Sequence, residues 1–113
     1  MLPKLNRIKN KKDFDLIFKK GKSLRAGPMV LKRMKNSSGC TRFAFIVSQK
    51  VSKKAVVRNK IRRRLAEISR AYLKEEKELK NNGTDFVFIG LPGAEKMDFL
   101  ETKRFANKLL TNV

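Results

Sequence analysis

Histidine is missing from this chain, and cysteine occurs once, at Cys40. A lone cysteine excludes an internal disulfide, and without histidine there is no zinc cluster to build. Cys40 reads instead as a small residue at a strand edge. Acid–base chemistry by the protein would fall to carboxylates, lysine or tyrosine. Carboxylates are themselves scarce: 10 Asp and Glu face 29 Lys and Arg, a formal charge of +19. No apolar run approaches the ~20 residues that span a bilayer. The opening, MLPKLNRIKNKKDF, lacks the apolar core of a signal peptide, so a cytoplasmic location is expected.

What is present suffices for a folded domain. With 113 residues, 41% of them apolar and eight of them Phe, the chain reads as a single domain with a real core, residues 1–113. The charge excess demands a polyanionic partner, with nucleic acid first and an anionic membrane second.

The organising stretch runs from Lys53 to Leu73, KKAVVRNKIRRRLAEISRAYL. Val57, Ile61, Leu65, Ile68 and Tyr72 recur at helical spacing and share one face. Asn59, Arg62, Arg63 and Arg70 point roughly the other way, while Arg58 and Arg64 flank the stripe. Ser52 is a candidate N-cap. Seven Lys or Arg and no acid lie between Lys53 and Arg64. A solvated face normally mixes signs, so this array calls for an anion. Guanidinium forks match phosphate oxygens, and Asn59 can bond base edges, ribose or phosphate.

Around this helix the chain divides cleanly. Residues 1–10 read as an extended arm that packs Leu5 and Ile8. KKDFDLIFKK (11–20) reads as a short helix with Phe14, Ile17 and Phe18 on one face and Gly21 as its stop. Its two aromatics belong to the core or leave a ring free to stack on a nucleobase, and spacing does not separate these. Ser23–Ala26 reads as a connection, and Gly27-Pro28 as a turn or strand entry. Met29–Met34 is a strand, expected to pair as a hairpin with the next, Thr41–Gln49, whose two faces are both apolar at its centre. Glu75, Glu76 and Glu78 interleave with lysines, without the apolar shelter that a metal site or an acid–base pair would need. Asn81-Asn82-Gly83 closes that helix. Asp85–Gly90 is a further strand. Met97–Leu110 is a final helix, with Asp98 as its cap and Phe99, Leu100, Lys103, Ala106, Leu109 and Leu110 approximating one face. The order is α-β-β-(β)-α-β-α, an α+β layer fold with an aromatic core and room for one more short strand before residue 50.

VSQKVSKKAVVRNKIRRRL resembles the arginine-asparagine-arginine signature of the bacterial ribonuclease P protein subunit. NRIKNKKDFDLIFKKGKS resembles that family's opening and PGAEKMDFLETKRFANKLL its closing helix, so the likeness covers about residues 5–110. The resemblance implies a sandwich like the second domain of a ribosomal small-subunit protein. Its crossover between parallel strands would be left-handed, against the general rule. It also implies a role. The holoenzyme removes the 5′ leader of precursor tRNA, and the RNA subunit does the hydrolysis with Mg2+. The protein binds that RNA and the leader, lowers the Mg2+ requirement, and needs neither a membrane nor a protein partner.

Carried over by position, Arg58, Asn59, Lys60, Arg62 and Arg63 face the RNA subunit, and Lys50, Lys53 and Lys54 extend that surface. No catalytic residue on the protein is implied, and no metal ligand is named. Phe14 and Phe18 correspond to aromatics of the leader cleft, with Val47 and Ser48 on its floor. Gln49, Lys32 and Leu91 depart from the family pattern, where lysine, an aromatic and arginine respectively are common. Two other readings share the charge: a structural ribosomal protein, and a nonspecific cationic binder whose affinity is salt-dependent throughout.

Overall fold

Asp85–Gly90 sets Phe86 and Phe88 on one face and Val87 and Ile89 on the other, a pattern that suits the middle of a sheet, where both faces and both edges are covered. The computed structural model, which describes residues 2–36, 39–76 and 83–111, puts it there. In chain order the elements are α1 (Lys11–Lys20), β1 (Lys22–Ala26), β2 (Met29–Lys35), β3 (Arg42–Val47), α2 (Ala55–Glu76), β4 (Thr84–Gly90) and α3 (Phe99–Thr111). The sheet order is β1-β2-β4-β3. β4 runs antiparallel to β2 and parallel to β3, so α2 is the crossover between parallel neighbours.

The expected hairpin between Met29–Met34 and the Thr41 strand therefore does not form, because β4 takes the place between them. The hairpin is β1–β2. The optional extra strand proves to be Lys22–Ala26, which includes the segment expected to be a connection. Ala26 pairs with Met29 across a two-residue Gly27-Pro28 turn. Gly27 has a φ of 55°, and a positive φ at the first turn position is what a twisted two-residue hairpin needs.

The pleat sorts side chains onto two faces. On one, Phe43, Phe45, Phe86 and Phe88 form a stacked cross-strand cluster, with Phe43 and Phe86 centroids 5.2 Å apart. Tyr72 of α2 meets Phe43 and Phe86 edge-on. Ile61, Leu65 and Ile68 seat α2 on this face, and Ala106, Leu109 and Leu110 seat α3. Each fully buried ring or branched side chain contributes about 1.5–3 kcal/mol. On the other face α1 lies alone, packing Ile17 and part of Phe14 against Ala44 and Val87.

Helix ends follow local chemistry, with three adjustments. Asp98 caps α3 as expected: its Oδ1 accepts from the Glu101 N–H at 2.8 Å. The buried side of α3 is Thr102, Ala106, Leu109 and Leu110, whereas Leu100, 71% exposed, and Lys103, both expected on that side, point into solvent. Ser52 sits two residues too early to be the N-cap of α2. Its Oγ accepts from the Lys54 N–H, and the Lys54 carbonyl takes the first helical bonds from Val57 and Arg58. Gly21 does stop α1, with its N–H on the Ile17 carbonyl. It does so in extended backbone, so close to that carbonyl and to Arg33 O that no side chain fits. Asn81 and Asn82 lie outside the described residues.

Candidate nucleic-acid interface

The cationic end of α2 is built by residues that hold one another in place. β3 ends at Val47, and a turn closed by the Val51 N–H on the Ser48 carbonyl leads Lys50, Lys53 and Lys54, all exposed, to the helix start. Arg58 donates from Nη1 to the Ser52 carbonyl at 2.9 Å and so ties the first turn to the loop before it. Arg62 donates Nη1 to Asn59 Oδ1 at 2.6 Å and Nη2 to the Val47 carbonyl at 3.3 Å. Arg64 donates to the Met97 carbonyl at 2.9 Å, anchoring α2 to the approach of α3. Charge-assisted bonds of this kind are stronger than neutral ones where they are sheltered from water. Lys60 and Arg63 stand exposed on the same face. Like charges crowd there without a carboxylate partner among the described residues.

A groove of about 650 Å³ opens beside this face. Its lining includes Leu2, Arg7, Phe45, Asn59, Arg63 and Ala66, together with Phe14 of α1, which borders both this groove and the α1 side of the sheet. The N-terminal arm makes its far wall. Ile8 N–H bonds the Phe43 carbonyl at 3.0 Å, and Asn6 Nδ2 bonds the Thr41 carbonyl at 2.7 Å. The arm packs Leu2 and Ile8 into the core, whereas Leu5, expected inside, is 76% exposed. A tight turn at Lys4–Asn6 rotates Leu5 outward.

The second candidate surface is the part of the sheet that α1 leaves uncovered. Phe14 is half-buried, and Phe18 is 42% exposed, with the Lys32 ammonium 5.4 Å from its ring centroid. Ile46 and Ile89, register partners on β3 and β4, are the part-buried side chains beside them. Val47 is not on this floor. It is 4% exposed and packs in the opposite core with Phe43 and Ile61, because one step along a strand changes the face. Ser48 is exposed in the turn after β3, with its Oγ accepting from the Lys50 N–H.

One part-buried network escaped the sequence reading. Arg42 forks onto Asp85 at 2.8 and 2.7 Å and reaches Asp13 of α1 at 3.2 Å, while Asn36 Nδ2 also donates to Asp85 at 2.7 Å. The hydrogen bond to Asp85 raises the Arg42 guanidinium further above its ordinary value. Arg42 and Asp85 are register partners, a fact invisible until β3 is known to pair in parallel with β4. These carboxylates are committed to orienting α1, and among the described residues no group of three acidic, cysteine or histidine side chains could hold a metal. Among the described residues the donor set does not fit a protein-held Mg2+. Among the described residues no helix is long and apolar enough to cross a membrane.

Comparison with known proteins agrees along the whole chain. The family model for ribonuclease P matches residues 2–113. The ribonuclease P protein component of Microcystis aeruginosa is 32% identical over 113 residues, covering 96% of this chain and 91% of the relative. The Staphylococcus aureus RNase P protein superposes with a TM-score of 0.81 at 28% identity, over 94% of this chain and 93% of that one. The Thermotoga maritima RNase P protein does so with a TM-score of 0.78 at 32% identity, over 95% and 96%. On the family model across residues 2–113 and on relatives that match nearly end to end, the chain belongs to the bacterial ribonuclease P protein family.

Proposed function

We propose that this chain, the protein component of the RNA-based enzyme that processes tRNA 5′ ends, works by holding two RNAs against two unlike surfaces. The α2 face, with Lys50, Lys53, Lys54, Arg58, Asn59, Lys60 and Arg63, takes the catalytic RNA. The surface beside α1, with Phe14, Phe18, Ile46 and Ile89, takes the single-stranded leader of the precursor. The observation that carries this reading is the pairing of a carboxylate-free cationic helix face with an exposed phenylalanine ring that already carries a cation, Phe18 under Lys32. Phosphates need the first and splayed bases the second.

The chemistry follows from what the chain can supply. Two RNAs brought together repel, and a domain of formal charge +19 between them offsets that repulsion, so less Mg2+ is needed. Mg2+ belongs to the RNA in this reading. The protein binds, orients and screens. Its sheltered carboxylates face Arg42, so proton transfer at the scissile phosphate is left to the RNA and its ions. Work of this kind belongs in the cytoplasm.

Cleavage of a precursor tRNA at low Mg2+ by a bacterial ribonuclease P RNA, with and without this protein, tests the proposal. Restored cleavage at the mature 5′ end, with the protein inert alone, is the expected result. Absence of stimulation would refute it, and cleavage by the protein alone would refute the division of chemistry.

A further inference from the structure

Resting on the reading of α2 as the RNA face, we propose that the groove between α2, the β3 edge and the N-terminal arm is a slot for one unpaired nucleotide of the catalytic RNA. The base enters beside Phe45, its edge meets the Asn59 amide, and its phosphate meets Arg63.

Four observations converge on this occupant. The groove, at about 650 Å³, has room for a base and its ribose, with Leu2, Phe14, Phe45 and Ala66 among its apolar lining and Arg7, Arg62 and Arg63 as its cations. Apolar walls under a cationic rim suit a nucleotide, which is flat and apolar at the base and anionic at the phosphate. The arm is held to β3 by Asn6 Nδ2 on the Thr41 carbonyl and by the bridge of Arg7 to Phe43. Two residues on, the pleat turns the Phe45 N–H and C=O the same way, so the slot also has a polar strip along its floor.

Asn59 adds direction. Its Oδ1 accepts from Arg62 at 2.6 Å, which leaves the amide NH2 as the group that can donate to a ligand. The matching group is an acceptor, such as a purine ring nitrogen or a pyrimidine carbonyl oxygen. Arg62 is thereby a positioning residue: one arm of its fork sets the Asn59 amide and the other grips Val47 at the strand end. Arg63, exposed beside it, is the phosphate contact. A duplex cannot use such a slot, because its bases are stacked and the major groove of A-form RNA is too narrow.

The decisive variant is Ala66→Leu, which fills the slot, preserves helix propensity and leaves every charge in place. Binding to a bacterial ribonuclease P RNA should weaken about tenfold, the value of one stacked base, with the salt slope unchanged. Arg63→Ala should weaken binding and reduce the slope by about 1. Arg63→Lys should bind almost as wild type, while Arg62→Lys, which keeps the charge but loses the fork, should fall with Arg62→Ala. Wild-type affinity in Ala66→Leu overturns the slot. If Arg63→Ala is also silent, the RNA-face reading of α2 falls with it; if Arg63→Ala alone weakens, only the slot falls. Thermal unfolding checks each variant. Should Ala66→Leu fail to fold, Asn59→Ala decides: severalfold weaker binding at constant slope supports the slot, and unchanged binding overturns it.

Discussion

The two faces of the sheet are made from the same four strands but finished differently. One carries α2 and α3 and closes over a phenylalanine cluster; the other carries only the ten-residue α1 and stays partly open. The closed face has Leu31, Leu65 and Phe88 at 0–1% exposure. The open face places Lys32 opposite Val87 at its centre and leaves Phe18 at 42%. A lysine in the middle of a sheet face is out of place in a core and in place on a binding surface. Stability is thus concentrated on one side of the sheet.

Substitutions that treat both faces alike should expose this asymmetry. The largest stability effect is expected for Phe43→Ala, at about 3–5 kcal/mol, because a fully buried ring is lost from a stack with three others. Chemical denaturation measures it. A loss below about 1 kcal/mol would mean that the cluster collapses to fill the gap and that the closed face is not the tighter one. Close behind stands Arg42→Met, which strips the cation from the buried Asp85 and frees Asp13 of α1. A loss of about 3–5 kcal/mol is expected. Part of that loss should appear as exposure of α1 amides to hydrogen exchange before global unfolding. Uniform exchange across the chain would show that the ion pairs do not anchor α1 in particular.

How far the sequence disclosed this arrangement depends on the range of the signal. Local signals were readable: the stripe from Val57 to Tyr72, the Asp98 cap and the stop at Gly21 all follow from neighbours within a turn or two. Pairing was not. The hairpin assigned to β2 and β3 failed because short-range turn cues say nothing about a strand that arrives from residue 84. The same gap hid the Arg42–Asp85 pair, 43 residues apart in sequence. In the candidate site, the basic residues were legible as an array but not as individuals. Periodicity put Arg62 and Arg63 on one face, yet Arg62 is consumed by Asn59 and Val47 while Arg63 stands exposed. Val47 lies one step of the pleat away from the α1 side of the sheet, where Ile46 sits.

That one-step difference makes a sharper comparison. Val47→Ala should cost about 1–3 kcal/mol and leave leader affinity unchanged, since it only thins the closed face. Ile46→Ala should cost less stability and weaken precursor binding severalfold, with mature tRNA unaffected. Affinity titrations of precursor and mature tRNA separate the two. Reversal of the pattern would put the leader on the wrong face.

Phe18→Ala should barely change stability, because 42% of that residue is already in water. Precursor affinity should fall about tenfold if a leader base stacks on the ring, and mature tRNA should bind as before. Equal weakening of both would assign Phe18 to packing. The smallest effect belongs to Lys32→Met. It keeps the apolar stem that crosses the sheet and removes the ammonium 5.4 Å from the Phe18 ring. An exposed cation–π contact is worth only about 0.5–1 kcal/mol, so folding should hardly notice. A leader phosphate would notice: affinity should drop a fewfold and the salt slope for the precursor should lessen by about 1. An unchanged slope would mean that Lys32 serves only to cover Phe18, and that the open face reads bases without holding phosphates.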